Sequence, residues 1–270
     1  HRVQVFHGNP VSCSGRGNLR PGGENVGPAA RREYYYLMQD VRVITMDLDD
    51  TLWEVMPVIL RAEAALRSWF AEHYPSIPEQ VSNEQMLALR ADIVTRYRDR
   101  AHDLTFLRKQ TIVATARAAG YNETLAVSIS EEAFAVFNEH RNRLDLFPDA
   151  RPALEKLASR YRLIAVTNGN ADLELIGIDD LFEGYVSART AGAAKPDPRI
   201  FTAAVDAGGH TAEHTLHVGD HPEHDVQGAR QSGLHAAWVN RDNRPWPEEH
   251  AAADLEVSDL GVLADFLVAD

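Results

Sequence analysis

The chain has 270 residues, a 44% hydrophobic content and a formal net charge of -13, which together support one large domain or a core with a smaller partner and exclude a disordered chain as the default. The charge is uneven: residues 1–40 carry five arginines against three acids, and residues 41–270 carry 22 bases against 37 acids. So acidic a folded part repels nucleic-acid backbones and anionic membranes, and no run of about 18 apolar residues exists to span a bilayer.

Residues 1–37 are rich in Gly, Pro, Arg and Asn and lack the apolar stretch of a signal peptide. Residues 1–40 read as a disordered arm or a misassigned start, with Met38 as the candidate true start. The one cysteine, Cys13, lies in this arm. Neither an intrachain disulfide, a thiol nucleophile nor a zinc–cysteine site is expected, and a cytoplasmic location fits that usage.

The run Val41–Met46 is apolar and β-branched and ends at Asp47, the pattern of a buried strand with polar groups at its C-terminal end. Residues 55–144 change to long stretches with apolar residues three and four apart: Ile59, Leu60, Leu66, Trp69 and Phe70, then Met86, Leu87 and Ile93, then Ala133, Phe134 and Phe137. This segment is expected to be an all-helical insertion. After Phe147-Pro148 the chain alternates: a helix at about 149–159, strand 162–166, a short helix near Leu173 and strand 185–187. A helix from Pro198 follows, then strand 215–218, a helix beginning near His224, and a last strand at 235–239. That order predicts an α/β fold with a parallel sheet, its core formed by residues 41–54 and 145–270.

The polar residues Asp47, Asp49, Thr167 and Asp220 all fall just past predicted strand ends, the edge at which open α/β sheets bind ligands. In Asp47-Leu-Asp-Asp-Thr51 two carboxylates two positions apart point the same way, and a cation would relieve their mutual repulsion. Magnesium, which takes oxygen ligands and keeps water and substrate phosphate among them, suits such a set. Read alone, the motif is equally an acidic turn or a helix cap. Thr167 in Val-Thr-Asn-Gly-Asn170 offers a hydroxyl and backbone N–H groups, with Asn168 beside it, in a turn that taken alone reads as one satisfying its own backbone. Lys195-Pro196 taken alone is a surface pair, and Gly219-Asp-His-Pro-Glu-His-Asp225 taken alone is a loop with a cap. Their common placement at one sheet edge argues for a site.

These four segments resemble the four motifs of the haloacid dehalogenase-like (HAD) hydrolase superfamily: DLDDT at 47–51, Thr167 in VTNGN, Lys195 before Pro196, and GDHPEHD at 219–225. The resemblance covers residues 42 to about 240 and implies a Rossmann-like parallel-sheet core with a helical cap inserted at 55–144. Within the superfamily, DLDDTLWEVMPVILRAE, TNGNADLEL and LHVGDHPEHDVQGARQSG look most like bacterial flavin mononucleotide phosphatases of the YigB type. The resemblance implies Asp47 as nucleophile through an aspartyl-phosphate, Asp49 as acid and base, and Thr167, Asn168 and Lys195 as phosphoryl ligands. It further implies Mg2+ held by Asp47, the Asp49 carbonyl and Asp220, with Asp225 in support. The implied partner is a small phosphorylated metabolite, flavin mononucleotide among the candidates. Sugar phosphates, nucleoside monophosphates and phosphoglycolate stay open, as does the oligomeric state.

Other readings were weighed on the same residues. Haloacid dehalogenases proper characteristically lack an acid two positions after the nucleophile, so Asp49 argues against that chemistry. A catalytically silent HAD-like binding module finds no support in a chain that keeps every motif residue. His210, His214, His217, His221 and His224 would form a metal stripe on one helix, but the strand expected at 215–218 interrupts it. The aromatic residues of the helical segment and its border read first as packing, and Trp53, next to the first motif, is the best candidate among them to meet a flat substrate ring.

Overall fold

The computed structural model describes residues 38–268; the expectations for the N-terminal arm and Cys13 fall outside them, apart from residues 38–40. Six strands, β1 (Val43–Met46), β2 (Arg162–Thr167), β3 (Gly184–Ser187), β4 (Thr215–Gly219), β5 (His235–Val239) and β6 (Leu255–Val257), form one sheet in the order β3-β2-β1-β4-β5-β6. Every pairing is parallel. The chain therefore leaves central β1 toward one edge and returns to build the other, which opens a crevice at the C-terminal ends of β1, β2 and β4.

Side chains alternate along the buried strands as the pleat requires. Ile44 and Met46 of β1 join Leu163, Ala165, Leu216 and Val218 in one apolar cluster, and Val43 joins Ile164, Val166, Ala236 and Trp238 in another on the opposite face.

Five α-helices fill residues 55–144, between β1 and the return to the sheet: α1 (Val55–His73), α2 (Ser76–Gln80), α3 (Asn83–Arg96), α4 (Leu104–Ala118) and α5 (Glu123–Arg141). They enclose an apolar cluster of their own, in which Ala62, Leu66 and Phe70 of α1 meet Ile112 and Ala116 of α4 and Ile129, Ala133 and Phe137 of α5. The four-residue spacing that fixes this stripe also corrects the expected one. Leu60 is 60% exposed because the buried face of α1 runs through Val58, Ala62, Leu66 and Phe70, and Leu87 is 66% exposed on α3, where Ile93 is the buried residue. Ser82 and Gln85 make a reciprocal capping box at the start of α3, and Asp103 and Asn122 cap α4 and α5.

The remaining helices are α6 (Ala150–Ala158), α7 (Leu173–Ile176), α8 (Ala188–Ala191), α9 (Pro198–Gly208), α10 (Gly228–Gln231) and α11 (Leu260–Leu267). α6 and α11 cover the first face of the sheet, and α9 and α10 the second. Three boundaries differ from expectation. β1 begins at Val43 rather than Val41, and the chain enters the expected helix near His224 through a wide π turn, Pro222–Gln227. The strand at 235–239 is not the last: Leu255–Val257 adds an edge strand after a loop, too short to carry a readable alternation.

Candidate active site

Asp47 follows the last residue of β1, and its backbone N–H donates to Val218 O of β4 at 2.9 Å, so the ladder itself carries the carboxylate to the switch point. Asp47 is 6% exposed and Lys195 4% exposed. Lys195 Nζ contacts Asp47 Oδ1, Asp225 Oδ1 (2.6 Å) and Val166 O (3.2 Å), which uses all three ammonium protons. Asp225 also accepts from the His221 backbone N–H at 2.9 Å through Oδ2, and His217 Nε2 stands 3.2 Å from its Oδ1. Gly219 makes this arrangement possible, since a Cβ there would lie 2.3 Å from Asp225 Cγ. Thr51 Oγ1 lies 3.2 Å from Asp47 Oδ2 and 3.4 Å from Asp220 Oδ1.

Asp47, Asp220 and Asp225 bring carboxylate oxygens within 4.8 Å of one another. Against these three carboxylates stand one buried lysine and, 3.7 Å from Asp220 Oδ2, the half-exposed Arg244. Burial and this excess of acids over bases set the protonation tendencies. Burial raises Asp47, Lys195 opposes the rise, and the charges of Asp225 and Asp220 add to it. Burial also raises Asp220, to about 7, with the neighbouring Asp225 and Asp50 contributing. Burial would raise Asp225 as well, but Lys195 and His217 outweigh it and hold Asp225 low. Lys195 is lowered by burial and raised further by its two carboxylates, so it stays charged. An all-oxygen, acid-rich donor set fits a hard divalent cation. Asp225 is the most committed of the three, accepting from Lys195 and the His221 N–H, whereas Asp47 Oδ2 and Asp220 Oδ1 share only the single Thr51 hydroxyl proton, so Asp47 and Asp220 are the better-placed ligands.

Asp49 stands on the other side of the same cleft. Arg141, the last residue of α5, reaches its Oδ1 and Oδ2 with Nη2 at 2.6 and 2.8 Å, and Trp53 Nε1 donates to Oδ1 at 2.9 Å. Asp50 turns the chain between them with a left-handed φ of 61°, a conformation that Asp tolerates better than most residues.

The turn after β2 places Thr167 Oγ1 2.8 Å from the Gly169 N–H it accepts from, which leaves its own proton to donate. The Asn168 side chain has a structural role. It receives the Lys195 N–H at 2.6 Å and donates to Lys195 O at 3.0 Å, so it clamps the third motif to the second, and only the Asn168 main chain is left to meet a phosphoryl group. Trp53 corrects an expectation: it is fully buried in the core below the site, its N–H spent on Asp49, and its faces are closed to any substrate ring.

The histidines do not share a helix face. His217 sits within β4 between Thr45 Oγ1 (2.8 Å) and Asp225, kept neutral by burial, and His221 and His224 stack with ring centres 4.0 Å apart beyond the strand.

The cleft holding Asp47, Asp49, Thr167, Lys195 and Asp220 measures about 170 Å³. Through Gly169 it adjoins a cavity of about 760 Å³ between helices α4 and α5 and the strand ends, lined by Thr105, Phe134, Asn138, Asn170, Tyr185 and Ser187 among others. Sequence reading overlooked Arg141. A basic residue closing a helix reads as an ordinary complement to the helix dipole, and nothing in the sequence pairs it with an acid 92 positions earlier.

Residues 41–233 match the family of haloacid dehalogenase-like hydrolases. The chain is 31% identical over 238 residues to the 5-amino-6-(5-phospho-D-ribitylamino)uracil phosphatase YigB of Escherichia coli K12, covering 87% of this chain and 99% of that protein. It is 31% identical over 249 residues to a phosphoserine phosphatase of Thermus thermophilus, covering 82% and 96%. Among solved structures, a 2-haloacid dehalogenase from Pseudomonas syringae pv. Tomato DC3000 superposes with a TM-score of 0.80 at 36% identity, covering 84% of this chain and 98% of the other. With the parallel sheet, the acidic switch point and these matches together, the chain belongs to the haloacid dehalogenase-like hydrolase family, as an enzyme of its phosphatase type.

Proposed function

We propose that the protein hydrolyses the phosphomonoester of a small metabolite through a phosphorylated Asp47. The observation that carries this reading is the set of three carboxylates at the sheet's switch point, two of them buried on Lys195, beside the Thr167 turn. Asp47 attacks phosphorus, and the ester oxygen leaves with a proton from Asp49. Water then attacks the acyl phosphate and gives its proton back to Asp49, so one carboxyl group serves both steps. The Thr167 hydroxyl, the backbone N–H groups of its turn and Lys195 hold the phosphoryl oxygens. Magnesium, held by the Asp47 carboxylate, the Asp49 carbonyl and Asp220, would supply positive charge to offset the negative charge of the carboxylates and the phosphate.

Residues 55–144 act in this reading as a cap over a core of 41–54 and 145–270; their separate apolar cluster and the cavity beneath α4 and α5 support it. The leaving group would occupy that cavity, whose Phe134 and Tyr185 rings stand among amide and hydroxyl groups. Such a lining suits a ring joined to a polyol. The E. coli relative is named for a phosphoribityl-aminouracil, and flavin mononucleotide likewise bears its phosphate on a ribityl chain attached to a heteroaromatic ring. A phosphoribityl substituent on a flat ring is therefore the proposed substrate class, with a cytoplasmic site of action.

A dehalogenase reading draws on the Pseudomonas syringae structure. Displacement at carbon by an aspartate needs neither an acid at Asp49 nor three carboxylates at the switch point, so the phosphatase reading accounts for more of the site. The test is phosphate release, with and without magnesium, from flavin mononucleotide, 5-amino-6-(5-phospho-D-ribitylamino)uracil, phosphoserine, sugar phosphates and nucleotides, with Asp47→Asn as blank and chloride release from 2-chloropropionate alongside. Magnesium-dependent release highest on the two ribityl phosphates is expected. Release without that preference discards the substrate class, and chloride release without phosphate release overturns the phosphatase reading.

A further inference from the structure

Arg141 is 1% exposed, yet it is not a saturated structural arginine. Its Nη2 contacts both oxygens of Asp49, its Nε reaches Asn170 Oδ1 only at 3.4 Å, and its Nη1 is buried with no hydrogen-bond partner. A buried guanidinium selected for stability alone would be expected to spend all its donors. Here one carboxylate receives nearly everything the side chain offers.

The two oxygens of that carboxylate are not equivalent. Oδ1 accepts from both Arg141 and Trp53 Nε1. Oδ2 accepts from Arg141 alone and lies against the Thr167 turn, where a Cβ on Gly169 would stand 2.5 Å from it and 3.2 Å from Thr167 Oγ1. One oxygen is thus pinned, and the other keeps a free lone pair beside the phosphoryl-binding turn. The pin comes from the end of α5, and that helix end is itself anchored: the next residue, Asn142, accepts the Asp172 N–H at 2.9 Å through Oδ1 and donates to Asn138 O at 2.8 Å.

We propose that Arg141 is the positioning residue for Asp49, fixing Oδ1 together with Trp53 so that Oδ2 is the atom that exchanges the proton with the ester oxygen. The proposal rests on the phosphatase reading above. In the step concerned, a bond forms between an Asp47 oxygen and phosphorus, the phosphorus–oxygen bond to the leaving group breaks, and the proton on Asp49 Oδ2 passes to the departing alkoxide. An arginine that acts through this proton matters for alkoxides, which leave poorly without one, and little for 4-nitrophenolate, which leaves as an anion.

The experiment compares kcat/KM for the best alkyl phosphate of the wild-type panel with kcat/KM for 4-nitrophenyl phosphate in wild type, Arg141→Met and Arg141→Lys. The expected result is a loss on the order of 10²-fold on the alkyl ester in Arg141→Met with less than about tenfold on the aryl ester, and the same split, smaller, in Arg141→Lys, which keeps the charge but replaces the planar guanidinium, whose Nη2 spans both Asp49 oxygens, with a shorter, freely rotating ammonium. If Arg141→Met does not fold, Arg141→Lys and Trp53→Phe, which removes only the second donor to Oδ1, carry the same comparison. Equal losses on both esters, or none, would overturn the proposal. Wild-type protein inactive on every ester would instead sink the phosphatase reading, an outcome visible before any variant is made.

Discussion

Lys195 shows how few side chains hold the site in balance. Its ammonium is buried between Asp47 and Asp225 and touches a main-chain carbonyl besides, so no proton is left for solvent. Removing it leaves Asp47 and Asp225 without their buried cation, and uncompensated buried charge is among the costliest single changes a fold can suffer. Lys195→Met is expected to lower stability by about 3–5 kcal/mol in urea unfolding of magnesium-free protein and to abolish turnover. Wild-type-like stability in that variant would mean the carboxylates are neutralised in some other way. Lysine before proline carries no sign of this role in the sequence. It becomes legible only beside the three other motifs, because the contacts it makes span 148 positions to Asp47 and 30 to Asp225.

At the scale of elements, Asp149 ties three of them together. It precedes α6, pairs through both oxygens with Arg241 beyond β5 at 2.9 Å each, and accepts the Leu260 N–H at the start of α11 at 2.9 Å. The same Arg241 donates to Thr51 O at 3.0 Å, so the clamp reaches the first-motif loop. Burial would raise the Asp149 carboxyl, but Arg241 and the Leu260 N–H outweigh it and hold it below the usual range. A carboxyl lowered on folding adds stability that is present above its unfolded pKa of about 3.9 and is lost as pH falls through the lower folded value. Asp149→Asn should therefore cost about 1–2 kcal/mol at pH 7, a fork-on-fork pair discounted for its partial exposure, with the gap to wild type closing below about pH 4. A gap independent of pH would assign the loss to the hydrogen-bond geometry and not to charge. Element reading from sequence did well where patterns ran long, as in α5 and β2, and failed at β6. Three residues cannot show a period of two, and the strand is held as much by its pairing with β5 as by its own composition.

For the molecule as a whole, a cation held by the carboxylates at the switch point would make folding and cation binding one equilibrium. Magnesium that binds the folded state and not the unfolded chain adds about 2.7 kcal/mol at a hundredfold excess over Kd, which for a chain of this size raises Tm on the order of 5–10 °C. That shift is expected for chelator-treated wild type and is expected to shrink in Asp220→Asn; a wild-type melt indifferent to magnesium would remove the cation from the proposed site. The described helices include none long and apolar enough to cross a membrane.

Sequence by itself determined the parallel α/β plan, the helical segment inside it and the four motif positions, because each of these is local: a run of β-branched residues, a four-residue apolar stripe, a carboxylate after a strand. The tertiary structure alone decided which donors reach which acceptors. It buried Trp53 beneath the site and not against a substrate, turned the Asn168 amide onto the Lys195 main chain, and brought Arg141 to Asp49. Such contacts depend on the angle at which a helix end meets a sheet edge, a sum over many packed side chains that no single stretch of the chain encodes.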